Sequence, residues 1–271
     1  MTLKINGISA NIQALLFDMD GVIWKEDSPI GNLDFFFTTL RRHALPYGFI
    51  TNNSSKSIQM VQQKLKKFGV PCKLNVILNS GEATAHLLER RFPAGGPIYV
   101  VGEAGLIETL STYNFVHTNN PDTSVLAVVV GLDRQIDYNK IANAAQHIRN
   151  GTPFYGTNGD KTLPTPDGEI PGAGCLLAAI EAASGVSPIL VGKPEPLLFE
   201  MMLSRLGVNP QNTLVIGDRL ETDILGGINA GCQTVLVLSG ISTLSSIDQM
   251  DIHPSLVLKD IHELLGYFHE T

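Results

Sequence analysis

Ala14-Leu15-Leu16-Phe17-Asp18-Met19-Asp20-Gly21-Val22 is an apolar run that ends abruptly in two carboxylates and a glycine. Four consecutive apolar residues without alternation read as a strand buried on both faces, as in parallel sheets covered by helices. The carboxylates then stand at its C-terminal end. Side chains alternate along an extended chain, so Asp18 and Asp20 are expected to point one way and Met19 the other. That arrangement puts two negative charges in one small volume, which is costly without a cation.

Outward from this strand the pattern is βα repeated. Residues 32–44 carry Leu33, Phe36, Phe37 and Leu40 at helical spacing, with Arg41, Arg42 and His43 in the last turn. A strand over 47–50 runs into Thr51-Asn52-Asn53-Ser54-Ser55, and a helix over 58–68 stops at Gly69. A strand at 76–78 and a helix over 82–91 follow, before Phe92-Pro93-Ala94-Gly95-Gly96-Pro97 breaks the rhythm. A second set of elements comes next: strands near 98–101 and 125–130, a helix over 141–148 and a short strand at 154–155. The long turn-rich loop 156–174 then carries Asn158, Asp160, Lys161, Asp167 and Glu169. After a helix at 175–183 and the linker Ser184-Gly185-Val186-Ser187-Pro188, the alternation resumes. It gives strands at 189–191, 213–216 and 234–238, helices at 197–206 and 222–230, and a closing strand and helix over 256–267.

The expected fold is therefore α/β: a doubly wound, mostly parallel, Rossmann-like core sheet with an inserted α/β cap domain. Residues 1–92 and 188–271 form the core and 93–187 the insert. Right-handed crossovers make the opening strand central, with 213–216 beside it across the topological switch point, where open α/β sheets bind ligands.

With 271 residues, 44% hydrophobic and 17% charged, the composition is that of a globular protein with ample core. A formal net charge of −7 offers no global basic field, so a nucleic-acid partner is not expected. Cys72, Cys175 and Cys232 are odd in number and in no CxxC spacing, which argues against disulfides and zinc and suits a reducing cytoplasm. Met1-Thr2-Leu3-Lys4-Ile5-Asn6-Gly7 lacks the regions of a signal peptide, and no apolar run reaches the length of a membrane span.

Four strand exits converge on the crevice and bring Asp18, Asp20, Thr51, Asn52, Lys193, Asp218 and Asp223, the last two from Gly217-Asp218-Arg219-Leu220-Glu221-Thr222-Asp223. Three or four carboxylates with waters suit Mg²⁺, a hard cation that prefers oxygen. A carboxylate beside a cation and a lysine can attack phosphorus, because both reduce its repulsion from an incoming phosphate. A second carboxylate two residues on can give a proton to the leaving oxygen and later take one from water. Gly192-Lys193 lacks the Ser or Thr that would make it a P-loop, and Pro171-Gly172-Ala173-Gly174 lacks the strand a dinucleotide fingerprint needs.

Asp18-Met19-Asp20-Gly21-Val22-Ile23-Trp24, Thr51-Asn52-Asn53-Ser54-Ser55, Gly192-Lys193-Pro194-Glu195-Pro196 and Gly217-Asp218…Asp223-Ile224, in this order and with a mid-chain insert, resemble the haloacid dehalogenase-like superfamily. Within it they most resemble the NagD-like, or p-nitrophenylphosphatase-like, phosphatases. The resemblance implies an aspartyl-phosphate on Asp18, with Asp20 as general acid and base and its backbone carbonyl on Mg²⁺. It implies phosphoryl binding by Thr51, a loop shaped by Asn52, charge neutralisation by Lys193, Asp218 as a direct metal ligand and Asp223 as its outer support. Thr157-Asn158-Gly159-Asp160 resembles the branch's Thr-Asn-x-Asp segment and casts Asn158 and Asp160 as substrate contacts. The implied activity is hydrolysis of small soluble phosphate monoesters. A phosphotransferase of the same fold and a catalytically silent phosphate-binding module are the alternatives, and caps of this kind can form homodimer contacts.

Overall fold

The computed structural model of the chain describes residues 5, 8, 11–120, 122–165 and 168–268. The N-terminal heptapeptide read above against a signal peptide lies, except for Ile5, outside the described residues, as does Asp167 of the turn-rich loop. The described residues fall into two compact units. One takes the residues up to Thr51, Ile58–Leu78 and those from Lys193 onward; the other takes Asn52–Ser57 and Asn79–Gly192. The sequence reading set the insert at 93–187, so the contacts gather the segment after Thr51 and the helix Ser80–Arg91 with it.

The first unit is built on a six-stranded parallel sheet in the order Leu256–Leu258, Gln233–Val237, Thr213–Gly217, Ala14–Phe17, Tyr47–Thr51, Ile77–Asn79. Ala14–Phe17 is central and fully buried, pairing Leu15 with Leu214 on one side and with Tyr47 on the other. Phe17 sets the core beneath it. Its ring meets Phe36 at 5.8 Å and Phe37 at 5.5 Å, both from the helix Leu33–Arg42, whose apolar residues recur at turn spacing. That helix starts where Asn32 accepts a hydrogen bond from the Phe35 N–H at 3.1 Å, satisfying one orphan donor of the first turn.

The second unit holds a five-stranded parallel sheet in the order Ile189–Leu190, Phe154–Gly156, Val128–Val130, Gly96–Val101, Phe115–His117. Its core gathers Tyr99, Val101, Val128, Val130, Ile148, Phe154, Leu177 and Ile180 between sheet and helices. Three expectations are corrected here. Ile189–Leu190 is not a strand of the first sheet but pairs with Tyr155 and Gly156. Two apolar residues carry no mark of their partner, and their 48% and 36% exposure is that of an outer edge. The turn-rich loop contains an antiparallel hairpin, Thr162–Thr165 with Gly168–Pro171, that prolines had disguised. The helix expected over 222–230 opens as one wide π-helical turn, Leu220–Ile224, before the short helix Leu225–Asn229.

Candidate active site

Asp18 follows directly on the central strand, its N–H donating to Ile216 O at 2.9 Å, and its side chain is buried. Lys193 Nζ, 3% exposed, donates to Asp18 Oδ1 at 2.5 Å and to Asp223 Oδ1 at 2.6 Å. Asp18, Asp218 and Asp223 each offer a carboxylate oxygen within 4.8 Å of the others, a donor set that could hold a metal ion. All belong to the first unit.

The exit of the neighbouring strand Thr213–Gly217 explains how two of these carboxylates are aimed. In the π-helical turn the N–H groups of Asp223 and Ile224 both reach Arg219 O, at 3.0 and 3.2 Å. This wider turn swings Asp223 back over the strand end, a recurrent use of π-bulges at functional sites. Asp223 Oδ2 there accepts from the N–H groups of Asp218, at 3.2 Å, and Arg219, at 3.1 Å. Asp218 is held in turn by the loop after Gln233–Val237: Oδ2 accepts from Ile241 N–H at 2.8 Å, and its carbonyl accepts from Ser242 N–H at 3.0 Å. Gly21 closes the third side. Its φ of +83° disfavours any other residue, and a Cβ there would run into the Asp218 carboxylate.

Burial raises the pKa of Asp18 well above the usual carboxylate range, opposed by the Lys193 ammonium and reinforced by Asp223 and Asp218. Burial, with Asp223 next, pushes Asp218 up to about 7. Burial would lower Lys193, but Asp18 and Asp223 outweigh it and hold the ammonium charged. Three buried carboxylates thus face one buried ammonium, and the excess of negative charge is what a bound cation would relieve.

Asp20 stands apart from this cluster. The strand ends at Phe17 and the backbone turns at once: the N–H groups of Val22, Ile23 and Trp24 all point at Met19 O, at 3.2, 2.8 and 3.2 Å. The strand alternation expected to pair Asp18 with Asp20 therefore stops short of Asp20. Its side chain is exposed, and Oδ1 accepts from the Trp24 indole Nε1–H at 2.8 Å.

Thr51, buried, ends the strand next to Ala14–Phe17 in the first unit. Asn52 belongs to the second, where the expected substrate contacts Asn158 and Asp160 both attach to it. Asn158 Nδ2 donates to Asn52 O at 2.8 Å, and Asn52 Nδ2 donates to the two Asp160 oxygens at 3.0 and 3.2 Å. Ser80 Oγ adds a bond to Asn52 O at 2.6 Å, and Ser54 Oγ lies 3.1 Å from Thr157 Oγ1. The motifs marked Asn52, Asn158 and Asp160 but not their mutual bonding. Ser80, Ile241 and Ser242 went unmarked, and Trp24 entered only as the last residue of the opening motif. The first three act through a small hydroxyl or a backbone amide, which residue type alone does not announce.

Against known proteins, residues 15–116 match the family model described as haloacid dehalogenase-like hydrolase, and residues 190–264 match one described as HAD-hydrolase-like. Acid sugar phosphatase of Staphylococcus aureus is 34% identical over 254 residues, covering 94% of this chain and 97% of that one. The structure of 4-nitrophenylphosphatase from Thermotoga maritima superposes with a TM-score of 0.87 at 32% identity, over 94% of this chain and 97% of that one. NagD from E. coli K-12 gives 0.83 at 34% identity, over 93% and 98%. The chain belongs to the haloacid dehalogenase-like hydrolase family, among its NagD-like members.

Proposed function

We propose that this chain is a Mg²⁺-dependent phosphomonoesterase that hydrolyses small phosphorylated metabolites through an aspartyl-phosphate on Asp18. The observation that carries the reading is the 2.5 Å bond from Lys193 to Asp18 inside a buried cluster of three carboxylates. The likeness to acid sugar phosphatase and 4-nitrophenylphosphatase supports phosphate monoesters, sugar phosphates among them, as the substrate class.

The donor set fits Mg²⁺: oxygen ligands only, with an excess of buried negative charge. Asp18, Asp218 and the backbone carbonyl of Asp20 would hold the ion, with Asp223 behind them. When bound, it supplies positive charge opposite the phosphoryl oxygens. The chain's own residues do the rest. Lys193 orients Asp18 and lowers the repulsion between carboxylate and phosphate. As the Asp18 O–P bond forms and the ester P–O bond breaks, Asp20 gives its proton to the leaving oxygen. Asp20 then takes a proton from water as the water oxygen attacks phosphorus and the Asp18 O–P bond breaks. The Thr51 hydroxyl binds a phosphoryl oxygen, and Asn52 shapes that loop.

Residues 93–187 we read as the substrate-selecting cap, by their resemblance to the large α/β caps of this branch. The three free cysteines suit a cytoplasmic setting. The test is product analysis with 4-nitrophenyl phosphate and a panel of sugar phosphates in Mg²⁺. Free phosphate, a phosphoenzyme trapped by acid quench in wild type and its loss in Asp18→Asn are expected. A new phosphate ester formed with an added alcohol in place of phosphate would make the chain a phosphotransferase.

A further inference from the structure

We propose that Trp24 is a positioning residue for Asp20, its indole N–H fixing the carboxylate that, on the reading above, serves as acid and base. Trp24 is 4% exposed, yet its polar edge emerges at the one exposed aspartate of the motif, and the 2.8 Å bond to Oδ1 follows. Among the described residues the indole is the only hydrogen-bond partner of the Asp20 side chain. Oδ2 is left open to carry a proton.

The indole is itself held. The turn that points three amides at Met19 O also brings Gly21 N–H to Trp24 O at 2.7 Å, so Trp24 returns over Asp20 by a short backbone circuit. Beyond it, Trp24–Lys25 pairs with Ser28–Pro29 in a small hairpin. Lys64, from the helix Ile58–Lys67, holds that hairpin down. Its Nζ lies 4.5 Å from the Trp24 ring centroid, donates to Glu26 O and stands 3.4 Å from Asp27. The Phe68 ring packs against Trp24 at 6.0 Å between centroids. An exposed carboxylate with two free torsions would spread over several rotamers. Proton transfer needs a heavy-atom approach of about 2.6–3.2 Å, so one fixed oxygen restricts where the other can go. A buried tryptophan usually finds some partner for its N–H, and the competing view is that Asp20 merely satisfies Trp24.

Leaving-group dependence separates the two. Protonation matters for an alkoxide and hardly for 4-nitrophenolate. In saturating Mg²⁺, Trp24→Phe, which keeps the ring and removes the N–H, should lower kcat/KM for an alkyl phosphate by about tenfold, a fraction of the 10²–10⁴ that general acid catalysis supplies. The value for 4-nitrophenyl phosphate should stay within about threefold. In an Asp20→Asn background the same change should add nothing. Lys64→Gln, a half-buried surface change that leaves the N–H in place, should shift the ratio the same way by less and stands in if Trp24→Phe does not fold. Equal losses on both substrates, or an unchanged ratio with Trp24→Phe or its stand-in, overturn the proposal. If Asp20→Asn itself spares the alkyl phosphate, the acid reading fails instead.

Discussion

Asp223 uses both oxygens inside the protein, one on Lys193 and one on two backbone amides, whereas Asp18 has only Lys193 on Oδ1 among the described residues. A carboxylate whose directions are all taken supports; one with an open oxygen can react. Asp18→Asn should therefore lower kcat by about 10³-fold or more while leaving the fold intact, since an amide keeps the shape but cannot attack phosphorus. Asp223→Asn should cost clearly less, and steady-state kinetics on one substrate with circular dichroism on both variants checks the order. Retention of more than about a tenth of kcat by Asp18→Asn refutes the nucleophile. Asn158 and Asp160 lead to a different expectation from the one their motif suggested. Because both bond to Asn52, which on the proposed reading shapes the phosphate-binding loop, alanine at either should weaken inorganic phosphate and every ester alike, by about 5- to 100-fold for a lost hydrogen bond away from bulk water. A changed ranking among esters with phosphate inhibition intact would make them leaving-group contacts after all. Asp18, Lys193, Asp218 and Asp223 were legible because a charge at the exit of an apolar run has few structural excuses. The Ile241 and Ser242 amides were not, since a backbone donor leaves no trace in residue type.

At the scale of elements, helix Leu197–Leu206 and strand Thr213–Gly217 were readable from periodicity and caps, while Ala104–Ser111 and Phe115–His117 were not. The first is eight residues long, too short for a turn-spaced apolar stripe to stand out, and the second is three residues long, too short for alternation to register. The helix Tyr138–Arg149, started by Asp137 accepting from Lys140 N–H at 2.8 Å, carries a consequence for pH. Its His147 is buried, and Nε2 has no hydrogen-bond partner among the described residues. Burial lowers its pKa below the ordinary 6.5, and His117 is lowered for the same first reason. A histidine kept neutral in the fold binds fewer protons than the unfolded chain once the pH drops past the unfolded value. Stability is then full above about pH 6.5 and falls as acid takes the pH down through the folded pKa. We expect urea midpoints to decline from pH 7 to 5.5, and His147→Phe, whose ring can rest on Tyr99 as the imidazole does at 5.3 Å, to flatten that decline in part. An unchanged slope in the variant would show that His147 does not set it.

For the whole molecule, crossover handedness placed Ala14–Phe17 at the centre of the first sheet with Thr213–Gly217 beside it, because right-handed connections leave few ways to lay out parallel strands. What did not follow was the membership of Ile189–Leu190 and of the segment after Thr51, since assignment to one unit or the other depends on partners far away in sequence. The first unit pays for its site in stability. Asp18, Asp218 and Asp223 are held within 4.8 Å of one another in a buried place, with Lys193 as the compensating charge, so repulsion opposes folding when no cation is bound. Binding of Mg²⁺ to the folded chain alone should stabilise it by about 2.7 kcal/mol at a hundredfold excess over Kd. Asp218→Asn removes one of the repelling charges while an amide oxygen can still accept from Ile241 N–H. In chelator it should therefore melt at or above wild type, and in Mg²⁺ it should gain little, so that the two melting curves exchange order. Calorimetric or fluorescence melts of both proteins, with chelator and across a Mg²⁺ series, read this without any turnover. Equal stabilisation of both by Mg²⁺ would mean that the ion binds elsewhere and that the three-carboxylate cluster is held together for some other reason.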